Sequence, residues 1–234
     1  INKAATATAA AADKTYNGES QTGVTGNYVS WGGTTAGIDA GSYTATATPD
    51  ENHAWSDGTT AAKNITWTMS AKEVAVTWET ITFTYNGAAQ GPTATAESGV
   101  TGETINITRT TGTNAGSYTS TASCSSVTGG RAKCSNYTLT GNTKAFSIER
   151  ATITAPSSPS GKNYTGSSQA SGITCPAGST AGGTTSATNA GTYTQTCTPD
   201  GNHKWSDGTT TAKSITWVIN KIAATLTCSN KTYN

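Results

Sequence analysis

Long runs of the chain alternate apolar and polar residues with a period of two. In GSYTATATPD, from Gly41, the residues Tyr43, Ala45 and Ala47 alternate with Thr44, Thr46 and Thr48. In GTYTQTCTPD, from Gly191, Tyr193, Gln195 and Cys197 alternate with Thr194, Thr196 and Thr198. Successive side chains of a strand point to opposite faces, so each run predicts a strand with a threonine row outside and a Tyr/Ala/Cys row inside. Ile65, Trp67 and Met69 alternate in the same way, as do Ile215, Trp217 and Ile219, and Phe146 and Ile148 close a middle segment. The opening KAATATAAAA has helical propensity in its alanines. Its threonine alternation predicts a strand instead.

The strand patterns recur. Tyr16-Asn17-Gly18 returns as Tyr85-Asn86-Gly87 and Tyr164-Thr165-Gly166, each followed at the same offset by Gln21, Gln90 or Gln169. Asp39-Ala40-Gly41-Ser42-Tyr43 returns as Asn114-Ala115-Gly116-Ser117-Tyr118 and Asn189-Ala190-Gly191-Thr192-Tyr193, with the three tyrosines at equal intervals. The first segment predicts a tight turn, and the second a turn that enters a strand. The repeats predict units at 4–72, 73–150 and 151–221. Residues 1–3 then read as the tail of a preceding unit and 222–234 as the start of a fourth. The junctions hold neither Gly nor Pro, so the last strand of each unit is expected to lead straight into the next. Short links of this kind restrict bending, which predicts a semi-rigid array of units joined end to end. Tyr43 with Trp67, Tyr118 with Phe146 and Tyr193 with Trp217 are the expected core of each unit.

These motifs together resemble the tandem immunoglobulin-like or MBG/YDG-type repeats of bacterial cell-surface adhesins. The carriers are YNGxxQ, (D/N)AGxY and the NHxWSDGTTxAKxITW endings of the first and third units. The middle unit departs from the pattern, replacing that ending with Cys124 to Cys134 and NYTLTGNTKAFSI. The (D/N)AGxY segment resembles the tyrosine corner of immunoglobulin-like sandwiches, whose hydroxyl satisfies a nearby backbone group. The resemblance implies an all-β fold built as a tandem array of small Ig-like β-sandwich domains, with β-grasp-like repeats as the alternative. It also implies a non-enzymatic stalk or filament segment, extracellular, at a cell surface or secreted. The alternatives are an adhesive module for a host glycan or protein and a phage or virion fibre repeat.

Composition narrows the partners. Charged residues make up 12% of the chain, hydrophobic residues 33%, and the formal net charge is +1. No basic stripe supports a nucleic-acid partner. No apolar run has the length of a membrane helix. No cofactor is implied, and neighbouring repeats of the same chain are the expected partners. Of five cysteines, Cys124 with Cys134 and Cys175 with Cys197 are the expected disulfides, supplementing thin cores. Cys228 is left over.

The recurring loop is the one candidate for chemistry. Asp50 and Asp57, with Asp200 and Asp207 in the sister loop, offer hard oxygen ligands for a cation. Trp31, Trp55 and Trp205 offer faces for sugar stacking. The competing reading makes the loop architectural, with Asp57-Gly58 as a turn and Trp55 as a core lid. No nucleophile motif accompanies His53 or His203, so catalysis is not expected. Gln21, Gln90 and Gln169 beside the turns, with Lys63 and Lys213 near the last strands, raise the question of self-made covalent cross-links. Asn-x-Ser/Thr triplets stand at Asn64, Asn106, Asn136, Asn163 and Asn230.

Overall fold

A computed structural model describes residues 6–79 and 81–228. The fold is all-β, as the alternation predicts. The one helical segment among the described residues is a 3-10 turn, Cys134–Asn136. The chain forms two compact units. One takes in Ile1–Ile81, Gly91–Thr111 and Thr119–Phe146; the other takes in Thr82–Gln90, Gly112–Tyr118 and Ser147–Asn234. The middle sequence repeat contributes segments to both.

In the first unit the threonine-row strand, Gly41–Pro49, pairs antiparallel with Lys63–Ser70 on one side and Val29–Gly33 on the other. Lys14–Thr15 completes this sheet by pairing parallel with Met69 and Ser70. The faces follow the sequence: Ala45 and Ala47 are buried and Thr44 is exposed, while Trp67 and Met69 are buried between exposed Thr66 and Thr68. Tyr43 stands opposite Trp67 in the register. Their rings stack at 4.5 Å. The opening alanine-rich segment is a strand, Thr8–Ala11, paired antiparallel with Val24–Asn27.

Only Ala71 separates Lys63–Ser70 from the next strand, Lys72–Trp78. That strand lies between Ala94–Ala96, antiparallel, and Tyr137–Thr140, parallel. Its core gathers Tyr16, Val74, Ala96, Ile105, Val127 and Tyr137. Tyr16 comes from the turn of the preceding repeat, so one repeat supplies an aromatic plug to the core of the next.

The second unit repeats the four-strand order. Gly191–Pro199 lies between Lys213–Asn220 and Ser179–Gly183, and Lys162–Asn163 pairs parallel with the end of Lys213–Asn220. Tyr193 faces Trp217 with ring centroids 4.9 Å apart. Ala151–Ile153 follows Thr143–Glu149 after Arg150 alone and pairs parallel with His203–Trp205. Tyr118 and Phe146 are each half-buried.

The junction after Asn220 departs from expectation. Residues 221–228 form no strand. Lys72 and Ala151 each pair with a strand that begins at Tyr137 or His203. Ile222, in the matching position, has no such strand beside it among the described residues. It is 60% exposed, and Leu226 is 90% exposed. The expectation for 1–3 lies outside the described residues, as does that for 229–234.

Both expected disulfides are present, with Cα–Cα separations of 5.8 Å for Cys124–Cys134 and 5.6 Å for Cys175–Cys197. Cys228 is free and exposed. The second bridge adds bulk where the core is thin: Cys197 is fully buried in a cluster with Trp205 and Ile215. Non-reducing peptide mapping is expected to return these two pairs and an alkylated Cys228. Any peptide joining Cys124 or Cys134 to Cys175 or Cys197 would contradict the assignment.

Candidate functional site

The recurring loop is built by local hydrogen bonds. Asp50 accepts from the Asn52 backbone N–H at 2.9 Å and meets His53 Nδ1 at 2.5 Å. Asp200 repeats both contacts with Asn202 and His203. The histidine contact holds both carboxyls below their usual range. Asp57 accepts from the Thr59 hydroxyl and N–H and from Lys63. These contacts, the hydroxyl first, hold its pKa at about 2. Asp207 is bound in the same way by Lys213 and Thr209 and is held still lower.

The same contacts occupy the residues expected to serve a cation or a sugar. Each aspartate is engaged by its own loop, and the described residues contain no group of three or more His, Cys, Asp or Glu side chains able to hold a metal. Trp55 and Trp205 are 7% and 1% exposed, and their indole N–H groups donate to the carbonyls of Ala61 and Thr211. Neither ring offers a face to a sugar. Trp31 is half-buried and packs into two apolar clusters. The architectural reading of the loop is the one its contacts support.

The cross-link candidates are also engaged locally. Gln21 Nε2 donates to Thr15 O and Asn17 Oδ1, and Gln169 Nε2 to Asn163 O. Gln90 pairs with Gly112 through its backbone, and its side-chain oxygen is buried without a hydrogen-bond partner among the described residues. Lys63 and Lys213 are ion-paired to Asp57 and Asp207. The turn itself is an Asx turn: Asn17 Oδ1 accepts from Glu19 N–H and Asn86 Oδ1 from Ala88 N–H, with Gly18 at φ +87°. Thr165 Oγ1 takes the same role in the third copy, which explains how threonine substitutes for asparagine there.

The repeated tyrosine closes its own turn. Tyr43, Tyr118 and Tyr193 donate their hydroxyls to the carbonyls of Asp39, Asn114 and Asn189, at 2.7, 2.8 and 2.7 Å. That contact leaves the N–H of the following alanine free to bond elsewhere. In the first unit Asn136 takes it. Its Oδ1 accepts from Ala40 N–H at 2.8 Å, and its Nδ2 donates to Asp39 Oδ1 at 3.1 Å. In the second unit Asn202 does the same, with Ala115 N–H at 2.8 Å and Asn114 Oδ1 at 3.2 Å. In both cases an asparagine just ahead of a parallel strand clasps the turn of the preceding repeat.

Around the first clasp lies an ionic cluster. Asp39 receives Arg131 on both carboxylate oxygens, at 3.2 and 3.0 Å, and Lys133 at 2.5 Å. Hydrogen bonds from Arg131 and then Lys133 hold its carboxyl far below the ordinary range. Beside it Glu103, 7% exposed, accepts from Tyr16 OH at 2.5 Å, Tyr137 OH at 2.7 Å and Arg131 N–H at 2.9 Å. Burial alone would raise its pKa. The three donors outweigh burial and hold it below its usual value. Burial, and then the bond to Glu103, pushes Tyr16 up to about 12.

Sequence reasoning missed Glu103 and the clasp. Asn136 drew notice only as a glycosylation triplet, yet it is fully buried with its amide engaged, so the folded chain offers no glycan acceptor there. One signal was present: Asn136-Tyr137 and Asn202-His203 each place an asparagine before a ring at the head of a strand. No protein-family model matches the chain, and no curated protein matches it.

Proposed function

We propose that this chain is a segment of a structural stalk or filament of a secreted or cell-surface adhesin-like protein, made of tandem Ig-like β repeats. The observation that carries the reading is the repeated clasp. Two successive repeat turns are held by the same asparagine geometry, and the polar groups that looked like a site serve turns and joints instead. Oxidised cysteine pairs support an extracellular setting, where disulfides persist. A repeat array gains stability unit by unit through its nearest-neighbour contacts, which suits a part whose task is fixed reach under load.

Pulling the oxidised chain from its ends tests the reading. A stalk unfolds in discrete cooperative events, and reduction adds hidden length. The 22-residue separation of Cys175 and Cys197 corresponds to roughly 70–80 Å of extended chain. Gradual extension without force peaks would contradict a load-bearing role. Saturable glycan binding abolished by Trp31→Ala would favour an adhesive module instead.

A further inference from the structure

The first clasp is carried by a disulfide-bounded segment. Cys124 lies in the strand Gly116–Thr128, which pairs with Thr104–Arg109. Cys134 opens the 3-10 turn, and Tyr137–Thr140 follows it in a different sheet, beside Lys72–Trp78. The chain between the two cysteines crosses from one sheet to the other, and the bridge staples the crossing. Arg131 and Lys133, which both bind Asp39, lie inside the staple. Asn136, which clasps Ala40, lies two residues beyond it. Ala132, between the two cations, holds φ +54°. That left-handed region is unfavourable for a residue with a Cβ and persists only where the surroundings impose it. The bridge is one such restraint. The others are Arg131 N–H to Glu103 and Ala132 N–H to Gly129 O.

The second clasp is built without cysteine. Its loop, Asp200-Gly201-Asn202-His203, is set by the Asp200 carboxylate. The two bridges also differ in access. Cys124 and Cys134 are both half-buried at the margin of the first core. Cys197 is fully buried among Trp205 and Ile215, and its partner Cys175 is half-buried. Thiol–disulfide exchange attacks one reachable sulfur and expels the other as a thiolate. Either sulfur of the first bridge meets that condition. Attack at Cys175 would expel Cys197 as a thiolate inside an apolar cluster, where burial disfavours the charge.

We propose that Cys124–Cys134 is a redox latch on the first clasp, opened by a dithiol reductant. One thiolate of the reductant attacks a bridge sulfur, breaks the S–S bond and forms a mixed disulfide. Its second thiol then displaces the chain. The chain gains two electrons and two protons as the Cys124 and Cys134 thiols, and the reductant leaves as its own disulfide. Without the staple, the opened crossing gains the chain freedom that the bridge withheld. Ala132 leaves its left-handed conformation, and Arg131, Lys133 and Asn136 release Asp39 and Ala40 together. The second clasp has no such control. The inference goes beyond the stalk reading and needs the first clasp alone.

The test uses the whole chain carrying Cys228→Ser, treated with dithiothreitol under native conditions. Timed alkylation and peptide mapping identify which bridge has opened. Amide exchange is then read at Ala40, Ala115 and Trp67 in chain with the first bridge open. Cys124–Cys134 is expected to open at least about tenfold faster than Cys175–Cys197. Ala40 exchange should rise at least about tenfold, with Ala115 and Trp67 unchanged, and reoxidation should restore it. The double variant Cys124→Ser, Cys134→Ser should show the fast Ala40 exchange without reductant. Slow Ala40 exchange in the reduced chain or in the double variant would overturn the proposal. So would Cys175–Cys197 opening first. An equal rise at Trp67 would also overturn it, since the bridge would then support the whole unit rather than latch the clasp. Failure here with force peaks intact would leave the stalk reading standing.

Discussion

Trp67→Ala is expected to lower the stability of the first unit by about 3–5 kcal/mol, the range for removing a buried tryptophan. The ring is fully buried and stacks on Tyr43, and its indole N–H donates to Thr34 O at 2.8 Å. Two glycines confirm how closely it is held. A Cβ added at Gly23 would lie 1.9 Å from the ring, and one at Gly37 would lie 2.9 Å from it. The sheet cannot relax inward without moving backbone, so the cavity persists. Chemical denaturation followed by circular dichroism measures the effect. Gly23→Ala, which adds one methyl group, should cost about 1–3 kcal/mol by overpacking. A loss below about 1 kcal/mol for Trp67→Ala would show that the ring is not the centre of this core.

Glu103→Ala has the second large expectation. It strands two buried tyrosine hydroxyls and a backbone N–H, at about 1–3 kcal/mol for each donor left unpaired, so a total of about 3–9 kcal/mol is expected. Glu103→Gln keeps an acceptor and should cost less. The pH dependence has a defined sign. Glu103 and Asp39 both have depressed folded pKa values. Their stabilisation is therefore complete above the ordinary carboxylate range and is lost as pH falls through their folded values. Tyr16 is shifted the other way, to about 12. Its contribution is complete below the ordinary tyrosine value of about 10 and is lost as pH rises towards 12. Stability measured against pH should fall at both limbs; Glu103→Gln should shrink the acid limb to the part Asp39 carries and lessen the alkaline limb by the part the Glu103 bond adds to burial. Unchanged limbs in that variant would remove Glu103 from the account.

The strands were legible because their information is local. Period-two alternation fixes which residues face inward, so the Tyr43–Trp67 and Tyr193–Trp217 pairs and the threonine rows could be read directly. The tyrosine turns and both disulfides were legible for a similar reason: repetition and short separations made their partners few. The contacts between repeats were not legible, because their partners are far apart in sequence. Glu103 meets Tyr16 across 87 positions and Asn136 meets Ala40 across 96. Glu103 has no counterpart in the other repeats to draw the eye to it. Trp55 could be read both as a sugar platform and as a core lid, and Trp205 as a sugar platform, because composition alone does not show whether the Trp-Ser-Asp-Gly turn folds its ring inward. That inward fold is fixed by the Gly58 and Gly208 N–H bonds back to the tryptophan carbonyls.

The central claim is that an asparagine from one repeat clasps the turn of the repeat before it. Amide hydrogen exchange tests it most directly. Ala190 N–H, in the third copy of the turn, has no hydrogen-bond partner among the described residues. Ala40 and Ala115 are expected to exchange at least about tenfold more slowly than Ala190, since local protection follows the hydrogen bond that must open. Asn136→Ala should release Ala40 alone, and Asn202→Ala should release Ala115 alone. Equal exchange at all three alanines, or protection at Ala40 and Ala115 that survives both substitutions, would contradict the account.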